Sequence, residues 1–319
     1  MMALVLVGLI AGCASALMFV SIISHELVSL VLIILAPTPL MVAGLAWGPF
    51  CAAIGGLTAM IGLSAVFGLP ISIGYGLAIV LPAWWLGHLV LLGRPRMSNG
   101  VPTEPELEWY PIGRILLWIA GLVVLISMAT LLTFGTDATT INEALRQRLA
   151  QLLQLMSGSV VSANDPGVQS LVGFMPAMIA MSSMTTLTLN LWLAAKAVAT
   201  SGRLRRPWPD LRTTALPPMT LVALCVALAF CFSDEMVGMI AKVVSGALLT
   251  AYMLTGFAVL HILTRGSKSR AFWLGTAYAM VVILGVWPVI AMMMLGLADA
   301  VFGFRERFLR NQPPPLSTP

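Results

Sequence analysis

The chain has 319 residues, of which 59% are hydrophobic and only 9% charged, with a formal net charge of +5. Soluble domains carry about 25% charged residues, so this composition cannot clothe a water-facing surface, and its long unbroken apolar runs exclude the short alternating strands of a membrane barrel. The sequence predicts an all-α fold, a polytopic transmembrane helical bundle, with the lipid bilayer as its first partner. The basic excess sits in loops beside apolar runs, where the positive-inside bias puts it, so no nucleic acid is implied.

The first apolar run, 2–23, contains "GLIAGCASA" at 8–16. Ile10-Ala11-Gly12-Cys13 has the form of a lipobox and Ala14-Ser15-Ala16 that of a signal-peptidase site. No positive segment precedes Cys13, however, and Ala14 to Ile23 continue the same apolar helix where a lipoprotein would turn polar. The expectation is a packed first span. Gly8, Gly12 and Ala16 then form a small-residue stripe on which another helix can approach closely, and they are the candidates for docking a partner.

Further runs follow at 27–46, 50–68, 71–92, 111–134, 168–199, 215–232, 236–264 and 271–297, about nine spans in all, in a single transmembrane domain over 1–303 with a polar, disordered tail at 304–319. Gly44, Gly48, Ala52 and Gly56 make a second small-residue stripe, read as packing between the second and third spans. Arg94, Arg96 and Arg114 follow the fourth span, Lys196, Arg203, Arg205, Arg206 and Arg212 the sixth, and Arg265, Lys268 and Arg270 the eighth. Arg146, Arg148 and Lys242 lie opposite. The basic side is cytoplasmic, and the N-terminus with it. Nine spans would send Arg305, Arg307 and Arg310 to the wrong side. Pro288 interrupts the last run, so eight spans with a re-entrant hairpin that returns the tail is the alternative.

Polar groups inside a bilayer are costly and mark functional places. Ser183, Thr186 and Asn190 share one helical face of the sixth span. In "APTPLMVAG" at 36–44, Pro37 and Pro39 remove two backbone donors, and broken membrane helices are tolerated where they line a cavity or pack on protein. These five residues are the candidate substrate cavity, a structural kink with asparagine as helix glue being the other reading. Between spans five and six, Thr140 and Glu143 have capping-box spacing. Ile141, Leu145, Leu149, Leu152 and Met156 mark one face of an amphipathic interfacial helix.

Cys13, Cys51, Cys225 and Cys231 have neither zinc nor redox spacing, and no metal or cofactor is indicated. His25 with Glu26, and Asp234 with Glu235, are read as solvated turns. No phosphate loop, nucleophile elbow or zinc-hydrolase motif occurs, so the expectation is a protein that is not an enzyme. Trp84, Trp85, Trp109, Trp118 and Trp273 near span ends read as interfacial anchors.

Three passages, "LAPTPLMVAGLAWGP" at 35–49, "NLWLAAKAV" with "RPWPDLRTTALPP" at 190–218, and "GLADAVFGFRERF" at 296–308, resemble the bacterial membrane proteins of domain-of-unknown-function family 2232, which includes the YybS-like proteins. That family is distantly similar to the substrate-binding subunits of energy-coupling-factor transporters, which bind vitamins or metal ions and dock, through a small-residue motif in the first span, on a coupling membrane subunit with separate ATPases. Gly8, Gly12 and Ala16 occupy a comparable place, although glycine replaces most of the expected alanines. The resemblance implies a bacterial inner-membrane protein that binds an unidentified small molecule and relies on such partners. The alternative is an integral-membrane scaffold in envelope or cell-cycle assembly, with no transported ligand and with the basic loop 200–212 as a protein or anionic-lipid contact.

Overall fold

The computed structural model describes residues 1–24, 26–95, 107–210, 214–233, 235–265 and 268–310. Helices dominate it, as they must where lipid offers the backbone no hydrogen bonds. Seven stretches are long and apolar enough to cross a membrane by length and composition, and three shorter apolar helices accompany them. The chain forms two compact units, Met1–Ile126 with Ser182–Pro209, and Ser127–Met181 with Asp210–Pro319. His25 and Asp234, read above as turn residues, lie outside the described residues.

The first unit opens with α1 (Met2–Val20), then α2 (Leu27–Leu35), α3 (Pro37–Trp47) and α4 (Pro49–Phe67). Gly48, at φ +104, lets the chain turn between α3 and α4, and Pro49 starts the next helix where its missing N–H is not needed. α1 and α4 lie against each other in direct backbone contact. A Cβ on Gly12 would stand 2.1 Å from the Gly55 carbonyl oxygen, and one on Gly55 only 2.2 Å from that of Gly8. Cys51 Sγ donates to the Leu4 carbonyl one turn earlier at 3.3 Å, so the contact advances together along both helices and they run parallel. Gly8 and Gly12, expected to meet a partner, therefore meet α4 of the same chain, while Ala16 is half-buried. The second stripe packs internally as well, with Gly44 facing Ala52 and Gly56 facing Val80.

After α5 (Leu69–Tyr75) one turn of π-helix, Gly76–Val80, leads into α6 (Leu81–Val90). Strands β1 (Gly93–Pro95) and β2 (Leu107–Trp109) pair antiparallel before α7 (Ile112–Leu132), which passes into the second unit.

The second unit continues with α8 (Ala138–Ser157), α9 (Pro166–Val172) and the start of α10 (Met175–Thr200). Of the apolar face expected on α8, Ile141 and Leu145 are buried and Leu149 is half-buried, while Leu152 and Met156 nearer its C-terminal end are exposed. Its cap differs from expectation. The helix begins at Ala138, and its N-cap Asp137, three residues before Thr140, accepts the Thr140 N–H at 2.9 Å. The Thr139 hydroxyl, then the Thr140 N–H and hydroxyl, hold the Asp137 carboxyl down at about 2.

α11 (Met219–Phe230) and α12 (Glu235–Leu263) form a hairpin. The last apolar run, expected as one span with a re-entrant alternative, divides into α13 (Arg270–Leu284) and α14 (Val286–Phe302). Tyr278 of α13 stacks on Phe257 of α12 at 5.5 Å, so α13 runs back along α12. The chain then reverses at Gly285, φ +58 and ψ −102, a conformation that favours glycine. Pro288 falls in the first turn of α14, where it does not break the helix. α14 returns beside α12 with Gly256 and Gly296 at the crossing, where added Cβ atoms would stand 1.9 and 2.0 Å from the Met292 and Tyr252 carbonyl oxygens. The arms have 15 and 17 residues; at about 1.5 Å per residue each is shorter than the ~30 Å hydrocarbon layer.

The polar tail begins as a short helix, α15 (Phe304–Arg310). Arg305 pairs with the buried Asp299 at 2.6 Å and donates from Nη1 to the Thr214 carbonyl at 2.5 Å. This ties the start of the tail to the segment leading into α11, and so to the end where α12 finishes.

Gly12→Ala forces a methyl into the Gly55 carbonyl and is expected to destabilise the folded protein by about 1–3 kcal/mol. Gly62→Ala, whose Cβ meets nothing within 4 Å, leaves it near wild type. Denaturation in mixed detergent checks both. In a background without the native cysteines, Arg307→Cys is expected to react with an impermeant thiol reagent from the same membrane side as Ala215→Cys, and from the opposite side to Ser233→Cys.

Candidate functional site

Because α2 stops at Leu35, its last carbonyls have no partners within the helix. Pro37 and Pro39 contribute no N–H to replace them. The Ala36 N–H reaches back to the Ile33 carbonyl at 3.3 Å. The Ile34 carbonyl accepts a hydrogen bond from Asn190 Nδ2 at 2.8 Å, and the same Nδ2 donates a second to the Thr186 carbonyl one turn back along α10, also at 2.8 Å. Asn190 Oδ1 accepts from the Thr38 hydroxyl. Asn190 is wholly buried, and both of its protons and its oxygen are engaged.

On another helix, Ser15 of α1 donates to the Ala36 carbonyl at 2.7 Å and itself accepts from the Tyr75 hydroxyl at 2.8 Å. Ser15 and Tyr75 are fully buried, and the Phe19 ring meets Tyr75 edge-on at 5.2 Å. Tyr75 immediately precedes the π-turn, and such turns mark functional places in helices.

The five expected cavity residues are thus distributed as follows. Pro37 is buried and Pro39 half-buried at the break, and Asn190 is joined to that break through Ile34 and Thr38. Thr186 is half-buried and offers its carbonyl to Asn190, while Ser183, half-buried, lies two turns before Asn190 on α10. Sequence reasoning missed Ser15, Thr38 and Tyr75. Thr38 lies between the two prolines, and Ser15 was in view among the small residues of the opening stretch. Their separation from Asn190 along the chain concealed the cluster. Chemically it consists of hydroxyls, one amide and backbone carbonyls, a set that holds polar uncharged groups and offers no acid–base pair.

A cleft of about 450 Å³ lies apart from these residues, by the β-hairpin, lined by Leu92, Arg94, Glu108, Trp109, Tyr110 and Arg114 among others. Arg94 and Glu108 form an exposed ion pair across the strands at 2.8 Å. Among the described residues no group of three or more histidine, cysteine or acidic side chains is placed to hold a metal ion.

Long apolar helices, glycine-mediated backbone contacts and a buried polar cluster at a broken helix define a multi-pass helical membrane protein. Residues 13–300 match the family model described as predicted membrane protein, DUF2232, and the chain belongs to that family. No curated protein and no solved structure matches it.

Removing the Asn190 amide strands the Ile34 carbonyl and the Thr38 hydroxyl. Hydrogen bonds between membrane helices are worth about 0.6 kcal/mol on average and up to about 1.7, so Asn190→Leu is expected to cost about 2 kcal/mol in detergent unfolding. Combined with Thr38→Val it costs less than the sum of the two single changes. Strict additivity in that double-mutant cycle would show that the bond contributes nothing.

Proposed function

We propose that this protein is a non-enzymatic bacterial inner-membrane subunit of transporter type, which binds a small molecule in its bundle and depends on separate energising partners. The observation that carries the reading is the interrupted span α2–α3, held across its break by the polar face of α10. Discontinuous membrane helices whose freed backbone groups line a site are how many transporters bind their cargo. Asn190 is already fully paired, so its part is to hold the wall. Thr186, Ser183 and Pro39, which are half-buried, are the positions for a ligand, and their chemistry favours a polar uncharged one. The N-terminus is cytoplasmic in this reading. Gly8 and Gly12 are occupied by α4, so a coupling subunit with separate ATPases would dock on the outward face of α1, where Leu6, Ile10 and Leu17 are exposed.

The second reading, an integral-membrane scaffold in envelope or cell-cycle assembly with no ligand, draws on one observation: the hydrogen bonds of Asn190 and Ser15 are complete without any bound molecule.

Gentle-detergent purification with mass spectrometry of co-purifying proteins and metabolites separates the two. A coupling subunit with its ATPases, or one enriched metabolite that raises the melting temperature, is the expected result. The joint change Ser183→Ala and Thr186→Val, which removes two hydroxyls and little volume, should then weaken that metabolite at least roughly tenfold, about 1.4 kcal/mol. Envelope proteins alone, with no small molecule beyond lipid, would favour the scaffold.

A further inference from the structure

α3 and α6 pack side by side, Gly44 facing the neighbourhood of Ala83 and Gly87, and finish at Trp47 and Val90. The segment following α10 lies over these two helix ends. Arg203 sits over the Trp47 ring, 4.6 Å from its centroid. Three residues on, Arg206 reaches the Val90 carbonyl with Nη1 at 3.4 Å. Within the last two turns of α10, the Lys196 ammonium lies over the Trp208 ring at 5.1 Å.

Arg206 is the unusual member. It is only 7% exposed, yet among the described residues that one long bond to a carbonyl is the hydrogen bond it makes. A guanidinium has five donors, and a buried cation ordinarily has an anion beside it. Among the described residues no carboxylate forms an ion pair with Arg206, Arg203 or Lys196. Burial pulls the Arg206 pKa below its ordinary value, the direction expected of a desolvated cation without a counter-charge. The end of a helix supplies about half a negative charge, too little to balance three cations. Two tryptophans, a residue type that settles at the headgroup level, stand among them.

We propose that Arg206, Arg203 and Lys196 form a binding site for the phosphate of an anionic phospholipid headgroup. The phosphate accepts from the unused donors of Arg206 and receives Arg203 from its exposed side, a bidentate geometry to which arginine is suited. Trp47 and Trp208 hold the two outer cations by their ring faces and set the depth of the site. The bilayer, which already surrounds these helix ends, is the source of the anion. This site is independent of the ligand reading at the helix break.

The test compares melting temperature and lipid retention by native mass spectrometry for the purified full chain in neutral detergent with added phosphatidylglycerol, phosphatidylcholine or inorganic phosphate. Phosphatidylglycerol is expected to be retained and to stabilise in preference to phosphatidylcholine, while inorganic phosphate at equal concentration gives no shift. Since Arg206→Gln alters a buried residue and its effect on folding would mask its effect on binding, the deciding variant is Lys196→Gln with Arg203→Gln, both exposed. Each lost cation is expected to weaken phosphatidylglycerol binding roughly fivefold. Equal retention of the two lipids, or unchanged phosphatidylglycerol binding in the double variant, would overturn the site. A shift with inorganic phosphate alone would overturn the bilayer as its source.

Discussion

The organisation of the first unit rests on the backbone carbonyls at the interrupted second span. In hydrocarbon an unpaired peptide group costs several kcal/mol, so a break there survives only if side chains from elsewhere complete it. Ser15 from α1 and Asn190 from α10 supply them, at Ala36 and Ile34. Residues more than 150 apart in sequence are thereby joined in one cluster, and Tyr75 extends it to the helix that carries the π-turn. Polar side chains that would be expensive alone become the fastening of the bundle.

Around that cluster the helices need a different source of cohesion. Lipid tails are as apolar as leucine, so no hydrophobic force drives one span against another, and close backbone packing does the work. The contacts of Gly8, Gly12 and Gly55, of Gly246 with Ala177, and of Gly256 with Gly296 leave no room for a methyl group. Each brings carbonyl oxygens against glycine Cα atoms, and many large apolar side chains are left to face outward, where Leu17, Ile61 and Val66 are well exposed. Large side chains such as Leu40, Met41 and Leu86 are buried as well, so glycine marks the helix crossings and does not fill the whole interior.

The two units solve the problem of interrupted helices in different ways. In the first, the prolines bend a span and side chains satisfy the break. In the second, Gly285 reverses the chain entirely, and the Asp299–Arg305 pair with Thr214 ties down the returning end. With this reversal the basic tail returns to the end of the second unit where α11 begins, so the final apolar run does not carry it across as a straight ninth span would.

The sequence by itself determined the class, the approximate positions of the apolar helices and the amphipathic α8, because hydropathy and helical period are local properties that lipid enforces residue by residue. It also showed which residue types were out of place in hydrocarbon, Asn190 and the two prolines among them. Only the tertiary structure decided what they do. Whether Gly12 faces a partner or Gly55, whether Asn190 points into a space or onto Ile34, and whether the last run turns at Pro288 or Gly285 depend on which helices become neighbours. That is a property of pairs far apart in the chain. A small-residue stripe fits any close backbone, and an amide accepts any partner, so neither names its neighbour in advance.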